Sequence, residues 1–477
     1  MCSSKIFGII AISILQVASY ISAVSASQPD PSVSQPFFSS VSTPKGLCNG
    51  TTGPAVSHAG FIGLKGDTPS KPKRSFFWFF EAETDSRNAP IILTMGGGPG
   101  ASGMLNALLF QAPCIMSATG MTPFEHRWTE QFNLVALDHP IGVGYSYGTR
   151  VNSSSDAALD VYNFLQKFFK IYPQLSKNKV ILSDGSYGGT YLAHIGTAIH
   201  NGNIALKSGK GERGDIHINL DSIVLTNPFA ISHFKAIKPY FDHETCSMYR
   251  CAIHQVHNAT TCQGLYPILP LCLESIHLAY EIPTIQNRVT AADICLGQLS
   301  SGSTNGILLE DIRKNCEDPD IFVCYPEYLW ADKFFNDPNT KREMNIPDGV
   351  EFTGLGSKVS EEFYSAGDLI QPHQSLYGPL LDSGIRLLYF VGAQDANCAW
   401  PGILSSLKLL KSKFQQRFLN AHDVLWPSQN STVRQIGDRA GGLTFILAQE
   451  AGHTAGQDQP ELAKFIIEHW INQMPFF

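Results

Sequence analysis

The residues from 179 to 191 place a turn of small residues between a predicted strand and a predicted helix. The apolar, β-prone run 180–182 comes first, and residues 187–200 have the periodicity of an amphipathic helix. Ser186 lies at the apex of the turn. A strand, a tight turn and a helix in this order lift a serine hydroxyl clear of a sheet edge, where it can act as a nucleophile. A plain glycine-rich turn is the alternative, because Asp184 stands where the G-x-S-x-G motif has its first glycine.

Strands and helices alternate in two separate parts of the chain. Strand-like runs cover 75–80, 89–94, 132–137, 180–182, 221–226, 386–391 and 443–447, and helices are predicted over 154–171 and 460–472. Such alternation predicts an α/β fold with a mostly parallel central sheet flanked by helices. From about 233 to 354 the alternation stops and cysteines become dense, which indicates an inserted, disulfide-rich cap subdomain.

The N-terminal residues have the layout of a secretory signal peptide. Lys5 precedes the apolar run 6–15, and small residues follow up to Ala26, after which we expect cleavage. A membrane anchor is the alternative, although polar residues interrupt a run that is short for a bilayer span. The expected segments are the signal peptide 1–26, a flexible lead-in 27–45, a first core part 46–232, the cap 233–354 and a second core part 355–477.

The cysteine content agrees with a secreted protein or one in the lumen of the secretory pathway, the vacuole included. Ten of the 11 cysteines remain after signal cleavage, and seven of those ten fall between Cys246 and Cys324. This density predicts a local disulfide framework, and no paired C-x2-C arrangement supports the alternative of a zinc site. Whether Cys398 is a thiol stays open. Glycosylation sequons stand at Asn49, Asn152, Asn258 and Asn430.

The charge of the chain argues against nucleic acid as a partner. The formal net charge is −7 at pH 7, and the longest basic run is residues 71–74, which is typical of a solvated loop. We therefore expect a small-molecule or peptide substrate and no membrane anchor after signal cleavage. Nothing in the composition predicts an oligomeric state.

Three residues with the side chains of acyl-transfer chemistry each follow a predicted strand. Ser186 follows the run 180–182, Asp395 follows 386–391 and His453 follows 443–447. The carboxyl ends of parallel strands share one edge of a sheet, so these side chains should meet there. The chain order Ser, Asp, His is that of the α/β-hydrolase fold, which we therefore predict.

A glycine-rich loop, residues 96–100, follows the strand-like run 89–94. Glycines at a strand end allow backbone N–H groups to face an anion without side chains in the way. A phosphate loop is excluded because no Gly-Lys-Ser/Thr follows. An oxyanion hole is the functional interpretation, and a plain tight turn is the alternative.

Five ordered motifs resemble those of the serine carboxypeptidase family. They are L-N-G-G-P-G at 95–100, D-Q-P-x-G-x-G-[FY]-S-Y at 138–147, G-E-S-Y-[AG]-G at 184–189, G-D-x-D-x-x-C-N-x-x-G at 392–402 and G-H-x-x-x-x-D-Q-P at 452–460. The resemblance covers nearly all of the mature chain. It implies that Ser186 attacks an acyl carbonyl, that His453 transfers the proton and that Asp395 orients the imidazole. It also implies an oxyanion hole made of the N–H groups of Gly98 and Tyr187, and neither a metal nor an organic cofactor.

Four positions depart from the family pattern. Family carboxypeptidases bind the free C-terminal carboxylate of a peptide with a Trp, an Asn and two Glu residues. The resemblance aligns these substrate-binding positions with Thr94, Gly96, Gly185 and Phe110. A carboxylate without such donors is costly to desolvate, so a bare C-terminus should bind poorly unless Asp184 replaces one Glu.

Three functions are therefore compatible with the sequence. The family default is a secreted serine carboxypeptidase that forms an acyl-enzyme on Ser186. The departures favour an esterase, amidase or acyltransferase, and a non-catalytic binding protein on a hydrolase scaffold is the third. Without a pair of Glu residues that share a proton, activity should follow His453 alone and rise towards neutrality.

Overall fold

The computed structural model describes residues 37–229, 256–298, 306–316 and 324–476 of the 477-residue chain. The predicted signal peptide and the first part of the predicted lead-in lie outside the described residues. Among the described helices, none is both long and apolar enough to cross a membrane.

A mixed sheet of 12 strands forms the centre of the molecule. The strands of the described residues, those of two separate hairpins included, are β1 Ser39–Ser42, β2 Asn49–Gly50, β3 Gly53–Pro54, β4 Ser57–Gly63, β5 Lys73–Phe80, β6 Ile91–Thr94, β7 Cys114–Ser117, β8 Gly120–Pro123, β9 Asn133–Leu137, β10 Tyr147–Gly148, β11 Val180–Ser186, β12 Leu220–Pro228, β13 Arg386–Gly392, β14 Val424–Trp426, β15 Ser431–Ile436 and β16 Leu443–Ala448. The order in the sheet is β1-β4-β5-β9-β6-β11-β12-β13-β16-β15-β14, with β10 paired to β5, while β2-β3 and β7-β8 form two small hairpins.

The middle of the sheet is parallel and both edges are antiparallel. The strands from β9 to β16 in the sheet order, which are β9, β6, β11, β12, β13 and β16, pair in parallel. Each is apolar and buried along most of its length, as expected of strands covered on both faces. The predicted α/β fold with a mostly parallel sheet is confirmed, and its strand ends place the chemistry described below.

Helices cover both faces of this sheet. The α-helices of the described residues, those of the insertion included, are α1 Gly103–Phe110, α2 Ser154–Ile171, α3 Gly188–Lys207, α4 Ala259–Leu265, α5 Ile268–Glu281, α6 Ile285–Ala292, α7 Pro326–Phe335, α8 Pro338–Glu343, α9 Ser357–Ser365, α10 Tyr377–Asp382, α11 Trp400–Leu409, α12 Gln415–Asn420, α13 Ala455–Asp458 and α14 Pro460–Ile471. Successive strand residues face opposite sides, so Leu182 packs in the core with α2 and α3 while Ile181 packs in the core with α1 and α14.

Helix α2 shows why its predicted bounds agree with the structure. The Ser153 side chain accepts a hydrogen bond from the Asp156 N–H and so caps the first turn. The helix ends at Ile171, just before Pro173, whose ring excludes a helical conformation at the preceding residue. Phe164 and Phe168 face the core at the spacing of one helical turn.

The predicted lead-in 27–45 was wrong over one stretch. Residues Ser39–Ser42 form the edge strand β1, which pairs antiparallel with β4. A Cβ at Gly60 would lie 2.0 Å from the Ser40 carbonyl oxygen, so the absence of a side chain there allows the two backbones to approach. The edge of β4 thus pairs with a polar segment whose sequence shows no hydrophobic periodicity.

In its described parts, the insertion between β12 and β13 carries the helices α4 to α10, while residues 306–316 form neither a helix nor a named strand. A small core of its own gathers around the disulfide Cys272–Cys295, and Cys316–Cys324 is a second disulfide in the insertion. The disulfide Cys48–Cys114 lies outside the insertion. The boundaries 233 and 354 of the cap stay predictions.

Candidate active site

Ser186 is the last residue of β11, directly before helix α3. Its φ of 55° lies in the left-handed region, which is unfavourable for a residue with a side chain and recurs at functional turns. The Ser186 carbonyl accepts a hydrogen bond from the Phe229 N–H at 2.8 Å, which ties the turn to the end of β12. This is the strand, turn and helix arrangement predicted from residues 179–191.

The glycine loop lies directly on this turn. A Cβ at Gly97 would lie 2.8 Å from both the Gly185 carbonyl oxygen and the Ser186 Cβ, and 3.0 Å from the Tyr187 nitrogen. Such distances are shorter than van der Waals contact, so only glycine permits this approach. The next residue, Gly98, has a φ of 105°, which also favours glycine.

The predicted oxyanion-hole donors flank this contact: Gly98 follows Gly97 in the chain, and the Tyr187 nitrogen lies 3.0 Å from the Cβ position of Gly97. Tyr187 precedes the first residue of α3, where N–H groups have no acceptor within the helix. Within the described part of the chain, neither the Gly98 nor the Tyr187 N–H donates to another backbone group. Both N–H groups are therefore available to an anionic oxygen beside Ser186.

The carboxylate of Asp395 is fully buried and accepts four hydrogen bonds. Its Oδ2 accepts from His453 Nδ1 at 2.6 Å and from Asn227 Nδ2 at 2.9 Å. Its Oδ1 accepts from the N–H groups of Asn397 at 2.7 Å and Cys398 at 3.0 Å. The carboxylate is thus fixed in orientation, and it fixes the imidazole of His453 in turn.

The position of His453 also depends on the insertion. Its backbone N–H donates to the Glu310 carbonyl oxygen at 2.7 Å. Burial lowers the pKa of the imidazole, but the negative charges of Asp395 and Glu310 and the hydrogen bond that His453 donates to Asp395 outweigh burial and raise the pKa to about 9. The imidazolium form of His453 is therefore strongly stabilised.

A cavity of about 320 Å³ joins these elements. Its lining includes Ser186, His453, the glycines 96–98 and the insertion residues Glu310, Tyr325, Glu327 and Tyr328. Among the described residues that line the cavity, none is Lys or Arg, and His453 carries the single basic side chain. The cavity can hold a small acyl substrate in contact with the serine hydroxyl and the imidazole.

Comparison with known proteins agrees with this geometry. A family model described as serine carboxypeptidase matches residues 50–473. The chain belongs to the serine carboxypeptidase family. The resemblance inferred from the five motifs is confirmed.

Relatives in this family cover most of the chain. Carboxypeptidase Y of Candida albicans is 27% identical over 435 residues, which are 90% of this chain and 75% of that protein. The vacuolar serine-type carboxypeptidase ATG42 of Saccharomyces cerevisiae is 28% identical over 411 residues, 84% of this chain and 77% of that protein. The crystal structure of Kex1(delta)p, a prohormone-processing carboxypeptidase from Saccharomyces cerevisiae, has a TM-score of 0.71 at 21% identity and covers 90% of this chain and 95% of its own. Together with the sheet order, this likeness shows the α/β-hydrolase fold.

Three of the four positions that depart from the family pattern line the cavity. They are Gly96, Phe110 and Gly185. Thr94 is fully buried, and its Oγ1 accepts from Asn106 Nδ2 at 3.0 Å. Asn106 lines the cavity, but its amide nitrogen is already committed, because it also donates to the Met95 carbonyl at 2.6 Å. The amide oxygen of Asn106 is the atom left for a ligand.

Asp184 is one of the residues that line the cavity. Its side chain is 2% exposed, its Oδ1 accepts from the Gly185 N–H at 2.7 Å, and its Oδ2 has no hydrogen-bond partner. A Cβ at Gly188 would lie 2.1 Å from the Asp184 carboxyl carbon, so the carboxyl is pressed against the start of α3. Burial raises the pKa of Asp184 to about 8, and the group is a neutral acid at pH 7.

Cys398 and the four sequons complete the predicted site residues. Cys398 is a buried thiol whose sulfur lies, with ligand atoms of Asp395 and His453, in a group within 4.8 Å. Asp395 and His453 already hydrogen-bond each other in that group, an arrangement that suits proton transfer. Asn49, Asn152, Asn258 and Asn430 are all exposed, as glycosylation requires, and their modification stays a prediction.

Two functional positions were missed from the sequence. Asn227 donates to Asp395 and accepts from the Gly392 N–H at 2.9 Å, and it follows directly on the predicted strand 221–226. An amide at a parallel strand end, on the edge that carries Ser186, was a usable signal. Glu310 had no such signal, because residues 306–316 form neither a helix nor a named strand.

Proposed function

We propose that this chain is a serine hydrolase that works through an acyl-enzyme on Ser186. The observation that carries the proposal is the hydrogen bond from His453 to the buried Asp395, with Ser186 in the same cavity. The Ser186 Oγ attacks an acyl carbonyl while His453 takes its proton. The bond to the leaving group then breaks, and the leaving atom receives that proton from His453. Water or another acceptor releases the acyl group by the reverse sequence.

The surroundings of Ser186 support each step. The imidazolium formed during attack is stabilised by the carboxylates of Asp395 and Glu310. The oxyanion lies near the N–H groups of Gly98 and Tyr187, and one such donor contributes about 3 kcal/mol to transition-state stabilisation. The left-handed backbone at Ser186 presents the hydroxyl to both.

We propose esters or amides without a required C-terminal carboxylate as the substrates. A carboxylate is best bound by cations and by N–H donors, and the described lining of the cavity offers neither Lys nor Arg. The amide nitrogen of Asn106 is occupied, and Gly96, Phe110 and Gly185 carry no polar side chain. Esterase, amidase and acyltransferase activities share the same acyl-enzyme and differ in the acceptor.

A carboxypeptidase is the second candidate, favoured by Asp184. Burial keeps this carboxyl protonated at neutral pH, and a carboxylic acid can donate a hydrogen bond to a substrate carboxylate. Because Asp184 lines the cavity next to Gly185, it lies near the position of the Glu that the family uses. On this candidate, peptide cleavage depends on Asp184 and is lost as its proton is lost near pH 8.

A pair of substrates tests both candidates. One is a blocked dipeptide with a free C-terminus, and the other carries the same acyl group as a simple ester. We expect turnover of the ester and poor turnover of the dipeptide. Efficient dipeptide cleavage that is abolished by Asp184→Ala, which removes the hydrogen-bond donor, would instead support the carboxypeptidase.

The variant Ser186→Ala tests the acyl-enzyme itself. We expect its turnover to fall by about 10⁴-fold or more, since the nucleophile is the group that starts the reaction. A serine-directed phosphonate should label the wild type and not the variant. Turnover that survives in Ser186→Ala would rule out the proposed nucleophile.

We propose the secretory pathway, with the vacuole or the outside as destination, as the location. Disulfides at Cys48–Cys114, Cys272–Cys295 and Cys316–Cys324 require an oxidising compartment, and a relative carries the name vacuolar. Glycan removal by an endoglycosidase should reduce the mass of the native protein if the exposed sequons are used.

A further inference from the structure

One part of the cavity wall comes from the insertion and combines carboxylates with aromatic rings. We call it the acidic wall, and its members are Glu310, Tyr325, Glu327 and Tyr328. Helix α7 carries Glu327 and Tyr328, while Glu310 belongs to the segment 306–316. None of these residues was assigned a role by the sequence motifs.

The Glu310 carboxylate is at the centre of this wall. Burial raises the pKa of the Tyr325 hydroxyl, and the charges of Glu310 and Asp395 raise it further. Burial together with Glu310 and Glu327 raises the pKa of Tyr328 to about 12. The same Glu310 charge acts on His453. Glu310, the two tyrosines and His453 thus line one cavity, and the charge of Glu310 acts on each of the other three groups.

The segment that carries Glu310 is held firmly against the strand ends. Its backbone exchanges hydrogen bonds with Gln394 at 3.1 Å, with Ala396 at 2.8 Å and with His453 at 2.7 Å. The cations of this segment are used elsewhere: Arg313 bonds Asp311 at 2.7 Å, and Lys314 bonds Asp458 at 3.1 Å. Neither cation lines the cavity, so the acidic wall is not neutralised by them.

Glu310 lies on the side of the leaving group. His453 returns its proton to the leaving atom, which must therefore lie within hydrogen-bond reach of the imidazole. The glycine loop contacts Ser186 and the Tyr187 nitrogen through Gly97, and this is where we expect the carbonyl oxygen to be held. A leaving group beside His453 therefore lies next to the segment that carries Glu310, whose backbone carbonyl binds the His453 N–H.

We propose that the acidic wall binds a positively charged leaving group, and that the substrates are acyl esters or amides of cationic alcohols or amines. Carboxylates and aromatic faces together are the chemistry that recognises substituted ammonium groups. This inference rests on the proposed function and specifies its substrate class.

The protonation state in which His453 can act as a base favours a positively charged leaving group. When His453 is neutral and able to act as a base, the Glu310 carboxylate has lost the imidazolium as its counterion. A substrate cation takes that place and lowers the pKa of His453 in the complex. The pH limb of kcat should therefore lie at lower pH for a cationic ester than for a neutral one, because kcat reports ionisation of the enzyme–substrate complex.

Two esters of one acyl group test the inference. The first carries a 2-(trimethylammonio)ethyl leaving group, and the second carries the 3,3-dimethylbutyl group, which has the same shape and no charge. We expect kcat/KM to favour the charged ester by about tenfold or more. The ratio is independent of the free His453 pKa, since both values of kcat/KM report the same free enzyme.

The variant Glu310→Gln keeps the backbone carbonyl that binds His453 and removes the charge. We expect the ratio of the two kcat/KM values to fall towards one. The matched control is Glu361→Gln, which removes an exposed charge from helix α9 outside the cavity and should keep the wild-type ratio. Phosphonate labelling of Ser186 verifies that each variant is folded.

Each outcome decides the inference. A wild-type ratio near one, or a ratio that Glu310→Gln leaves unchanged, would overturn the role of the acidic wall while the proposed hydrolase stands. Turnover of neither ester would also overturn the inference. If the phosphonate still labels Ser186 in that case, the proposed acyl-enzyme chemistry survives it.

Discussion

The two sides of the cavity are made from different parts of the chain. On one side, Ser186 ends the parallel strand β11 while Asp395 and His453 follow β13 and β16, and the buried Asp395 carboxylate holds the imidazole by a hydrogen bond. On the other side, the acidic wall comes from the insertion, and its residues are half-buried. Strand ends are fixed by the register of the whole sheet, whereas the insertion contributes residues that no sheet register constrains.

This difference separates the rate of the reaction from the choice of substrate. Changes on the strand-end side should alter kcat/KM by a similar factor for every substrate, because they disturb the atoms that react. Changes on the acidic wall should alter the ratio between substrates or the pH dependence. The following predictions test that separation.

The largest effect is expected from Gly97→Ala. Its Cβ would collide with Ser186 and with the backbone of Gly185, so the turn and the glycine loop must move apart. We expect kcat/KM to fall by about 10²-fold or more for both esters, since an oxyanion donor is displaced. The control Gly402→Ala, in helix α11 with open space around its Cβ, should retain activity. If kcat/KM fell for one ester only, the strand-end side would affect the choice of substrate, which contradicts the separation stated above.

A smaller loss is expected from Asn227→Gly. Glycine tolerates the φ of 41° at this position, and the substitution removes one of the four donors to Asp395. We expect kcat/KM to fall by about tenfold for both esters, the equivalent of one hydrogen bond to a charged group. Asn345→Gly changes an exposed asparagine with a φ of 54° and is the matched control. Equal losses in the two variants would show that Asn227 acts through the fold alone.

The pH dependence of kcat/KM should distinguish the strand-end side of the cavity from the acidic wall. Because the free His453 has a pKa raised to about 9, the imidazolium predominates below that pH and the base is scarce. We expect kcat/KM to rise with pH up to about 9, beyond the neutrality expected from an unperturbed histidine. Glu310→Gln should move this limb to lower pH by about one unit. If the pH dependence of kcat/KM is the same in the variant, the charge of Glu310 does not act on the pKa of His453.

The smallest effect concerns stability and Asp184. The folded state holds the Asp184 proton up to about pH 8, while the unfolded chain releases it near pH 3.8. The stability that this proton contributes is fully present below the unfolded pKa and is lost as the pH rises through the folded pKa. Asp184→Asn should therefore raise the Tm by about 5 °C at pH 8 and change it little at pH 4. Calorimetry at the two pH values checks this sign, and a lower Tm at pH 8 would contradict it.

The same division between strand ends and insertion explains which site residues the sequence predicts. Ser186, Asp395 and His453 were predictable because buried apolar runs identify parallel strands, and the ends of such strands meet at one edge. Glu310 and Tyr325 were not, because residues 306–316 form neither a helix nor a named strand and Tyr325 precedes the first residue of α7, so no period relates these positions to a direction in space. The strand β1 was missed for a related reason, since a polar edge strand is stabilised by backbone pairing.

The bond from the His453 N–H to the Glu310 carbonyl has a consequence for how such enzymes diversify. The segment that selects the substrate also anchors the catalytic base, so it is not an exchangeable module. A foreign segment spliced into this position would have to supply a carbonyl at the same point in space. New specificities in this lineage should therefore arise by single side-chain replacements within the insertion, with the path of its backbone conserved.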